Sequence, residues 1–289
     1  MSSKPQLSLL PVFSLLLSAT LWGVLWYPLR FLDGRGLNGL WSTLMIYAAA
    51  ALVSLPLLWR YRHEWHQPGL LCWLAGASGW CNISFILAVI DGNVVRVLLL
   101  FYLSPLWTVL LGRLLLGERL SSAARYTLLL AMLGSLIMLW NPALGIPWPE
   151  SRADWLAISS GFTFALSNVL VRKIQRAPVM VKAAITWWGV VALVVVMLFV
   201  GGETFPEVSM GTLALALALG ACGIVLMTLA VVYGVTHMPA HRSAVILLFE
   251  LVAGSLSSQW LTDEVVQVNE WLGGALILGA AWLAARSAR

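Results

Sequence analysis

Apolar residues run along this chain in ten long stretches, separated by short polar segments. Each stretch is close to the roughly 20 residues that a helix needs to cross the hydrocarbon core of a bilayer. Backbone polar groups must pair internally in lipid, so such stretches fold as helices, and the alternation typical of a membrane β-barrel is absent from the sequence. The pattern predicts an all-α integral membrane protein with ten transmembrane helices at residues 8–29, 37–59, 69–90, 93–116, 123–140, 154–172, 180–201, 210–234, 242–261 and 268–286.

The second five stretches repeat features of the first five. An apolar-Gly-Glu step ends at Glu118, and a similar step ends at Glu264, 146 residues later in a chain of 289. Such internal symmetry is typical of secondary transporters, and five spans per unit require the second unit to be inverted in the membrane. We therefore expect two five-helix units, residues 1–145 and 146–289, around one central cavity. Small residues with a similar spacing predict close helix crossings at Gly76, Gly79, Gly220 and Gly223.

Composition and charge support a membrane protein. Hydrophobic residues make up 61% of the chain and charged residues only 10%, whereas soluble domains usually carry about a quarter. The side that holds the N-terminus, the even-numbered connections and the C-terminus carries 13 of the 17 Lys and Arg residues. The positive-inside rule then places both termini in the cytoplasm, with Glu118 at the cytoplasmic surface and Glu264 at the outer surface. The net charge of +5 is thus a topology signal, and no nucleic-acid partner is expected.

Signatures of enzymes and metal sites are missing from the sequence. There is no Walker A loop, no HExxH, no GxSxG and no Cys-x-x-Cys. The four histidines have no accompanying cluster of cysteines or acids, so they are interpreted as solvated or headgroup-facing side chains. We therefore expect no enzymatic activity, no cofactor and no metal.

Ionisable residues inside the apolar stretches are a stronger signal. Glu250 lies close to the middle of the ninth stretch, where a carboxylate must face a cavity or have a partner. It can contact a substrate amine or carry a coupled proton, or it can tie two helices together; the functional interpretation is favoured because intramembrane acids are usually functional. Arg96 and Lys182 lie near span ends and are interpreted as snorkelling to the headgroups, although Arg96 can also attract a carboxylate.

Aromatic and polar residues at depth predict a substrate cavity. A cavity for an amphipathic solute needs apolar walls with a few polar groups, and aromatic rings hold ammonium groups by cation–π contact. Pro105, at the centre of the fourth stretch, is a hinge candidate, or a static kink that shapes the cavity. The candidate substrate-binding residues are Trp22, Trp80, Asn82, Phe101, Tyr102, Phe164, Asn168 and Glu250.

Two copies of one motif carry a family resemblance. The first copy is Leu103-Ser104-Pro105 followed by Leu114-Leu115-Leu116-Gly117-Glu118, and the second is Phe249-Glu250-Leu251 followed by Leu261-Thr262-Asp263-Glu264. Over nearly its whole length, the chain resembles the drug/metabolite transporter superfamily, in its ten-helix EamA-type exporter branch. Family members often have Glu-Pro where this chain has Glu250-Leu251, so the motif does not predict a kink in the ninth span. The stretch Leu100 to Pro105 is similar to the branch that exports aromatic and other amino acids.

The resemblance implies a fold and a function. Helices one, three, four, six, eight and nine would wall the central cavity, and helices five and ten would be scaffold. The expected protein is a bacterial inner-membrane exporter of amino acids or related metabolites that works by alternating access, with protons as a candidate coupling ion through Glu250. Efflux of toxic cations or drugs is the alternative within transporters, and a channel is the alternative from another class. One chain suffices to enclose the site, and a dimer is compatible with it.

Overall fold

A computed structural model describes residues 9–141, 148–262 and 265–286, and it is 83% helix, with no strand among those residues. Ten of the described helical spans are long and apolar enough to cross a bilayer, which confirms the predicted class. No predicted boundary differs from the observed one by more than four residues. The spans are Leu10–Asp33, Gly39–Arg60, Pro68–Asp91, Val94–Leu116, Ser122–Leu139, Arg152–Lys173, Val179–Gly201, Met210–His237, Ala240–Leu261 and Val268–Arg286.

The fourth span is broken in its middle. One helix covers Val94–Phe101 and the next covers Ser104–Leu116. Pro105 lies in the first turn of the second helix, where its missing N–H is best tolerated. Because proline cannot donate a hydrogen bond to the carbonyl four residues earlier, it separates the two helices at this point.

The ninth span is also broken, although it has no proline there. Its helices Ala240–Leu247 and Phe249–Leu261 meet at Leu248, which has helical φ but a ψ of only −14°. The break places Glu250 in the first turn of the second helix. The motif does not predict this break, because the residue after Glu250 is Leu251.

Glycines set the closest helix crossings. A methyl group at Gly79 in the third span would lie 2.5 Å from the carbonyl oxygen of Gly189 in the seventh span. A methyl group at Gly220 in the eighth span would collide with the backbone of Ile46 in the second. Packing this close requires residues without a Cβ, as in other membrane bundles. The prediction is wrong for Gly76, where a methyl group would meet nothing within 4 Å, and for Gly223, where it would meet only Leu219 of the same span.

The outside of the bundle is apolar. Phe199 is 87% exposed, Met210 is 81% exposed and Trp260 is 82% exposed. Large apolar side chains on the surface of a ten-span protein are contacts for lipid. Glu264, predicted at the outer surface, lies outside the described residues. The inverted repeat and the cytoplasmic position of both termini stay predictions.

Candidate functional site

The first span is also divided, at Leu25, but it is the breaks in the fourth and ninth spans that form a crevice. The crevice has an empty volume of about 280 Å³, but only about 10 Å³ of it is open to the centre of a water molecule, which is room for about one water. A solute of amino-acid size therefore needs the crevice to widen. Its lining residues come from the fourth, sixth and ninth spans: Phe101, Tyr102, Ser104, Pro105, Thr108, Phe164, Ala244, Leu247, Leu248 and Glu250.

Tyr102 and Glu250 form the polar centre of the crevice. The Tyr102 hydroxyl and the Glu250 carboxyl group both line the crevice and lie close enough to interact. Tyr102 is only 7% exposed, and Glu250 is partly buried. The two residues belong to the fourth and ninth spans, so the two breaks face the same crevice. A carboxylate can accept several hydrogen bonds, so Glu250 has acceptor capacity for a donor such as an ammonium group.

Aromatic rings form one wall of the crevice. The ring of Phe101 packs against three others, with centroid distances of 5.0 Å to Phe85, 5.2 Å to Tyr102 and 5.4 Å to Phe164. Two of these contacts have the edge-to-face geometry that aromatic pairs prefer. Ser104, a buried polar residue, also lines the crevice. The wall thus presents apolar rings with few polar groups.

Two glycines allow neighbouring spans to pack closely against the two breaks. A methyl group at Gly161 in the sixth span would lie 2.5 Å from the carbonyl oxygen of Phe101, the carbonyl to which Pro105 has no N–H to offer. A methyl group at Gly23 in the first span would lie 2.6 Å from the carbonyl oxygen of Glu250. Each break is therefore in backbone contact with a span from the other half of the chain.

Four predicted substrate-binding residues line the crevice and four do not. Phe101, Tyr102, Phe164 and Glu250 line it, together with the hinge candidate Pro105. The Asn82 amide is occupied elsewhere, because it accepts from the Tyr47 hydroxyl at 3.0 Å and donates to the Ser78 carbonyl at 3.0 Å. The remaining three also lie outside the crevice lining. Trp22 is partly buried beside Gly23, and Asn168 is partly buried in the sixth span. Trp80 is 40% exposed, and its indole N–H donates to the Ser159 hydroxyl.

At one end of the bundle, Arg96 joins the fourth and sixth spans. Its Nε donates to Asp154 Oδ1 at 3.0 Å, and Glu150 Oε2 lies 3.6 Å from its Nη2. It also donates to the backbone carbonyl of Trp148. The guanidinium side chain is 16% exposed, so the snorkelling interpretation is wrong, and the carboxylates that Arg96 binds belong to the protein itself. We call Arg96, Glu150 and Asp154 the Arg96 junction.

At the opposite end, Glu118 joins the connection after the fourth span to the sixth and ninth spans. Its Oε2 accepts from the Ala240 amide at 2.9 Å and lies 3.6 Å from His241 Nδ1. Its Oε1 lies 3.6 Å from Arg172 Nε. Burial opposes ionisation of Glu118, but the bonds from His241 and Ala240 and the charge of Arg172 outweigh it, so its pKa is lowered. We call Glu118, Arg172, Ala240 and His241 the Glu118 junction.

Lys182 lies beside the Glu118 junction and is fully buried. Its Nζ donates to the carbonyls of Val171 at 3.1 Å and Ile174 at 3.2 Å, and to the Thr236 hydroxyl at 2.6 Å. These hydrogen bonds satisfy carbonyls at the end of the sixth span, a role that a basic residue near a helix C-terminus often has. The prediction that Lys182 snorkels to the headgroups is wrong, because the carbonyls compensate the burial of its charge.

The sequence gives little sign of either junction. Arg96 and Asp154 are 58 residues apart, and no spacing rule connects them. A local signal exists only for Asp154, which forms a capping box with Ser151 at the start of the sixth span. The capping pattern indicates a helix start, but not that the carboxylate also binds an arginine from another span.

Comparisons with known proteins agree with this fold. The model of a family described as the EamA-like transporter family matches residues 9–140 and 151–286. An uncharacterised transporter of Archaeoglobus fulgidus is 24% identical over 206 residues, which is 70% of this chain and 71% of that protein. An uncharacterised transporter of Pseudomonas aeruginosa is 28% identical over 171 residues, 58% of this chain and 54% of that one. One solved crystal structure superposes with a TM-score of 0.75 over 97% of this chain and 96% of that chain, at 20% identity.

Proposed function

Because the chain belongs to the EamA-like transporter family, we propose that it is a bacterial inner-membrane carrier that exports amino acids or related small metabolites by alternating access. The observation that carries this proposal is the crevice at the two broken spans, where Glu250 and Tyr102 meet beside aromatic rings. Substrate sites at broken helices near the midplane of the bilayer are typical of secondary transporters.

The crevice offers separate contacts for the parts of an amino acid. The Glu250 carboxylate binds the ammonium group, since an acid in an apolar wall is a strong charge-assisted acceptor. The hydroxyls of Tyr102 and Ser104 donate to the substrate carboxylate. The rings of Phe101 and Phe164 pack against an apolar or aromatic side chain. An ammonium group bound at Glu250 would change how Glu250 faces Tyr102, which would couple binding to movement of the fourth and ninth spans.

Alternating access is supported by the polar junctions at the two ends. The Arg96 junction and the Glu118 junction both join the first half of the chain to the second. With both formed, the crevice has room for about one water, which suits a closed state of the proposed carrier. Opening towards one side of the membrane would break one junction and keep the other, while the fourth and ninth spans bend at their breaks.

The inverted repeat is supported by two observations. The family model matches two segments of similar length, one in each half. The close crossings also come in exchanged pairs: Gly79 places the third span against the seventh, and Gly220 places the eighth against the second. A two-fold axis in the membrane plane that exchanges the halves would generate the second crossing from the first. A single chain then forms the complete site, without an enzymatic step, a cofactor or a nucleic acid.

Uptake into proteoliposomes tests the amino-acid proposal. Purified protein is reconstituted, and saturable uptake of a panel of labelled amino acids is measured with and without a pH gradient. We expect uptake of several amino acids, strongest for those with apolar or aromatic side chains. Absence of uptake for the whole panel, by protein shown to be folded, would contradict the amino-acid proposal.

Efflux of organic cations is the second candidate. It is favoured by one feature: the crevice lining contains an acid, Glu250, but no basic residue for a substrate carboxylate. Quaternary ammonium compounds lack a carboxylate and suit an aromatic site with one negative charge. Competition of amino-acid uptake by these compounds would show a shared site, whereas transport of the cations alone would replace the first proposal by the second.

Coupling to protons would depend on Glu250. If the carboxyl group carries the coupled proton, Glu250→Gln will retain exchange of substrate but lose accumulation driven by a pH gradient. Full gradient-driven accumulation by the variant would remove this role from Glu250.

A further inference from the structure

The crevice at the two broken spans has a charged partner for an ammonium group but none for a carboxylate. Among the described residues that line it, Glu250 is the one charged side chain. Arg96 lies six residues before Tyr102, about 9 Å along a helix, and its side chain is bound in the Arg96 junction. The described basic residues that are buried in full or in part all lie at span ends: Arg96, Arg172, Lys173, Lys182 and Arg242.

The second helix of the fourth span begins at the crevice but does not replace a basic residue. A helix N-terminus can bind a carboxylate through its free amide groups. Here Pro105 has no N–H in the first turn. The amides of Leu106 and Trp107 donate to the Leu103 carbonyl, at 2.9 Å and 3.4 Å. This N-terminus therefore has few amides to offer a substrate carboxylate.

The second helix of the ninth span also begins at the crevice, and its own acid lies at its positive end. Glu250 belongs to the first turn of this helix, where the helix dipole favours a negative charge. The Leu251 amide donates to the Leu248 carbonyl at 3.1 Å. A substrate carboxylate bound here would be repelled by the charge of Glu250. The other polar side chains of the lining are neutral hydroxyls.

The free space in the crevice suits a primary ammonium group. It has room for about one water, and an –NH₃⁺ group is of similar size and carries three N–H donors. The carboxylate of Glu250 can accept more than one of these donors, and the hydroxyl oxygens of Tyr102 and Ser104 are further acceptors in the lining. A quaternary ammonium group is larger and has no N–H to donate. The rings of Phe101 and Phe164 lie beside this space and can pack against an aromatic substituent.

We propose that the crevice binds and transports primary amines that carry an apolar or aromatic group and no carboxylate. This inference rests on the proposed function, because it assigns these amines to the same site as the amino acids. Moving a carboxylate out of water without a charged partner costs free energy, and an amine that lacks the carboxylate avoids this cost. Such an amine should therefore bind at least as tightly as the amino acid with the same side chain.

Calorimetric titration of the purified full-length protein in a neutral detergent tests this proposal without measuring transport. Four ligands share one phenyl group: phenylalanine, 2-phenylethylamine, its N-trimethyl derivative and 3-phenylpropionate. We expect 2-phenylethylamine to have a Kd equal to or below that of phenylalanine. The trimethyl derivative should bind about tenfold more weakly or worse, because it cannot donate to Glu250, and 3-phenylpropionate should not bind. Glu250→Gln should raise the Kd of the amine about tenfold or more, whereas Glu207→Gln, at an exposed acid outside the crevice, should leave it unchanged.

The outcomes separate this inference from the proposed function. Phenylalanine that binds about tenfold more tightly than the amine would show that the carboxylate is recognised, which overturns the inference and keeps the amino-acid proposal. Binding of the amine without phenylalanine would support the inference and contradict the amino-acid proposal. Equal or tighter binding of the trimethyl derivative would overturn the inference in favour of organic cations. These comparisons need only the wild type, so they hold even if Glu250→Gln does not fold. Absence of binding for all four ligands, by folded protein, would contradict the inference and the proposed site together.

Discussion

Neutralising Glu118 should open the carrier from the end at which this residue lies. Glutamine has nearly the same shape and can still accept from Ala240, but it loses the charge that faces Arg172 and His241. A hydrogen bond to a charged group contributes about 1.5–3 kcal/mol, and an exposed ion pair about 0.2–1 kcal/mol. Because the Glu118 side chain is 20% exposed, we expect a loss of about 1–2 kcal/mol, which shifts the closed–open equilibrium roughly 5- to 30-fold.

Cys81 provides the assay. It is buried in the third span, 3.7 Å from the Ser160 hydroxyl and close enough to Glu250 for electrostatic interaction. With Cys72 and Cys222 replaced by serine, its labelling by a membrane-impermeant maleimide reports opening of the centre. Glu118→Gln should raise the labelling rate roughly 5- to 30-fold from the Glu118 side of oriented vesicles, in proportion to the open population.

Two variants control this measurement. Glu64→Gln neutralises an exposed acid in the connection after the second span and should have no effect. Asp154→Asn, in the Arg96 junction, should raise labelling from the opposite side only. If Glu118→Gln labels at the wild-type rate while the protein is folded, or labels faster from both sides equally, the Glu118 junction does not close the carrier.

Three further predictions concern stability. The difference in Tm between wild type and Glu118→Gln should shrink as the pH falls below 4.5, the ordinary pKa of a glutamate. Folding lowers the pKa of Glu118, so its charge stabilises the protein above the pKa of the unfolded state and ceases to do so once the carboxyl group is protonated. A difference in Tm that stays constant between about pH 7 and about pH 3 would contradict this. Gly189→Ala should prevent or severely weaken folding, because the new methyl group would collide with the backbone of Ala75, whereas Gly69→Ala, with nothing within 4 Å, should unfold at the wild-type temperature. Lys182→Met should lower stability by about 2 kcal/mol or more, since it leaves two carbonyls without their donor, and equal Tm values for this variant and wild type would refute the role given to the ammonium group.

The ten spans could be predicted from sequence because the bilayer itself imposes them. Lipid requires about 20 apolar residues per crossing, so span ends can be found from hydropathy to within a few residues. The break at Pro105 was predictable for a similar local reason, since proline lacks a donor. The break at Leu248 was not predictable, because no proline or other helix breaker marks it in the sequence; the nearby close contact with Gly23 of the first span is visible only in the structure.

The site could be predicted only in part, since residue depth does not give direction. Phe101, Tyr102, Phe164 and Glu250 were predicted from depth and chemistry, and they do meet at one crevice. Asn82 was selected by the same reasoning, but its amide is consumed by a tyrosine from the second span. The snorkelling interpretations of Arg96 and Lys182 failed because a long basic side chain near a span end can reach carbonyls or carboxylates of a neighbouring span as easily as headgroups.

Counterflow through Glu250 variants tests the central claim most directly. Liposomes that contain the protein are loaded with an unlabelled amino acid, and entry of the labelled one is measured for wild type, Glu250→Gln, Tyr102→Phe and Glu207→Gln, the last being an exposed acid outside the crevice. In wild type and Glu207→Gln, we predict that entry of the labelled amino acid needs internal substrate. In Glu250→Gln, the half-saturating concentration of the amino acid should be about tenfold higher or more, because the ammonium group loses its charged partner. Unchanged affinity in Glu250→Gln, with the other variants also like wild type, would contradict a substrate site at the two broken spans.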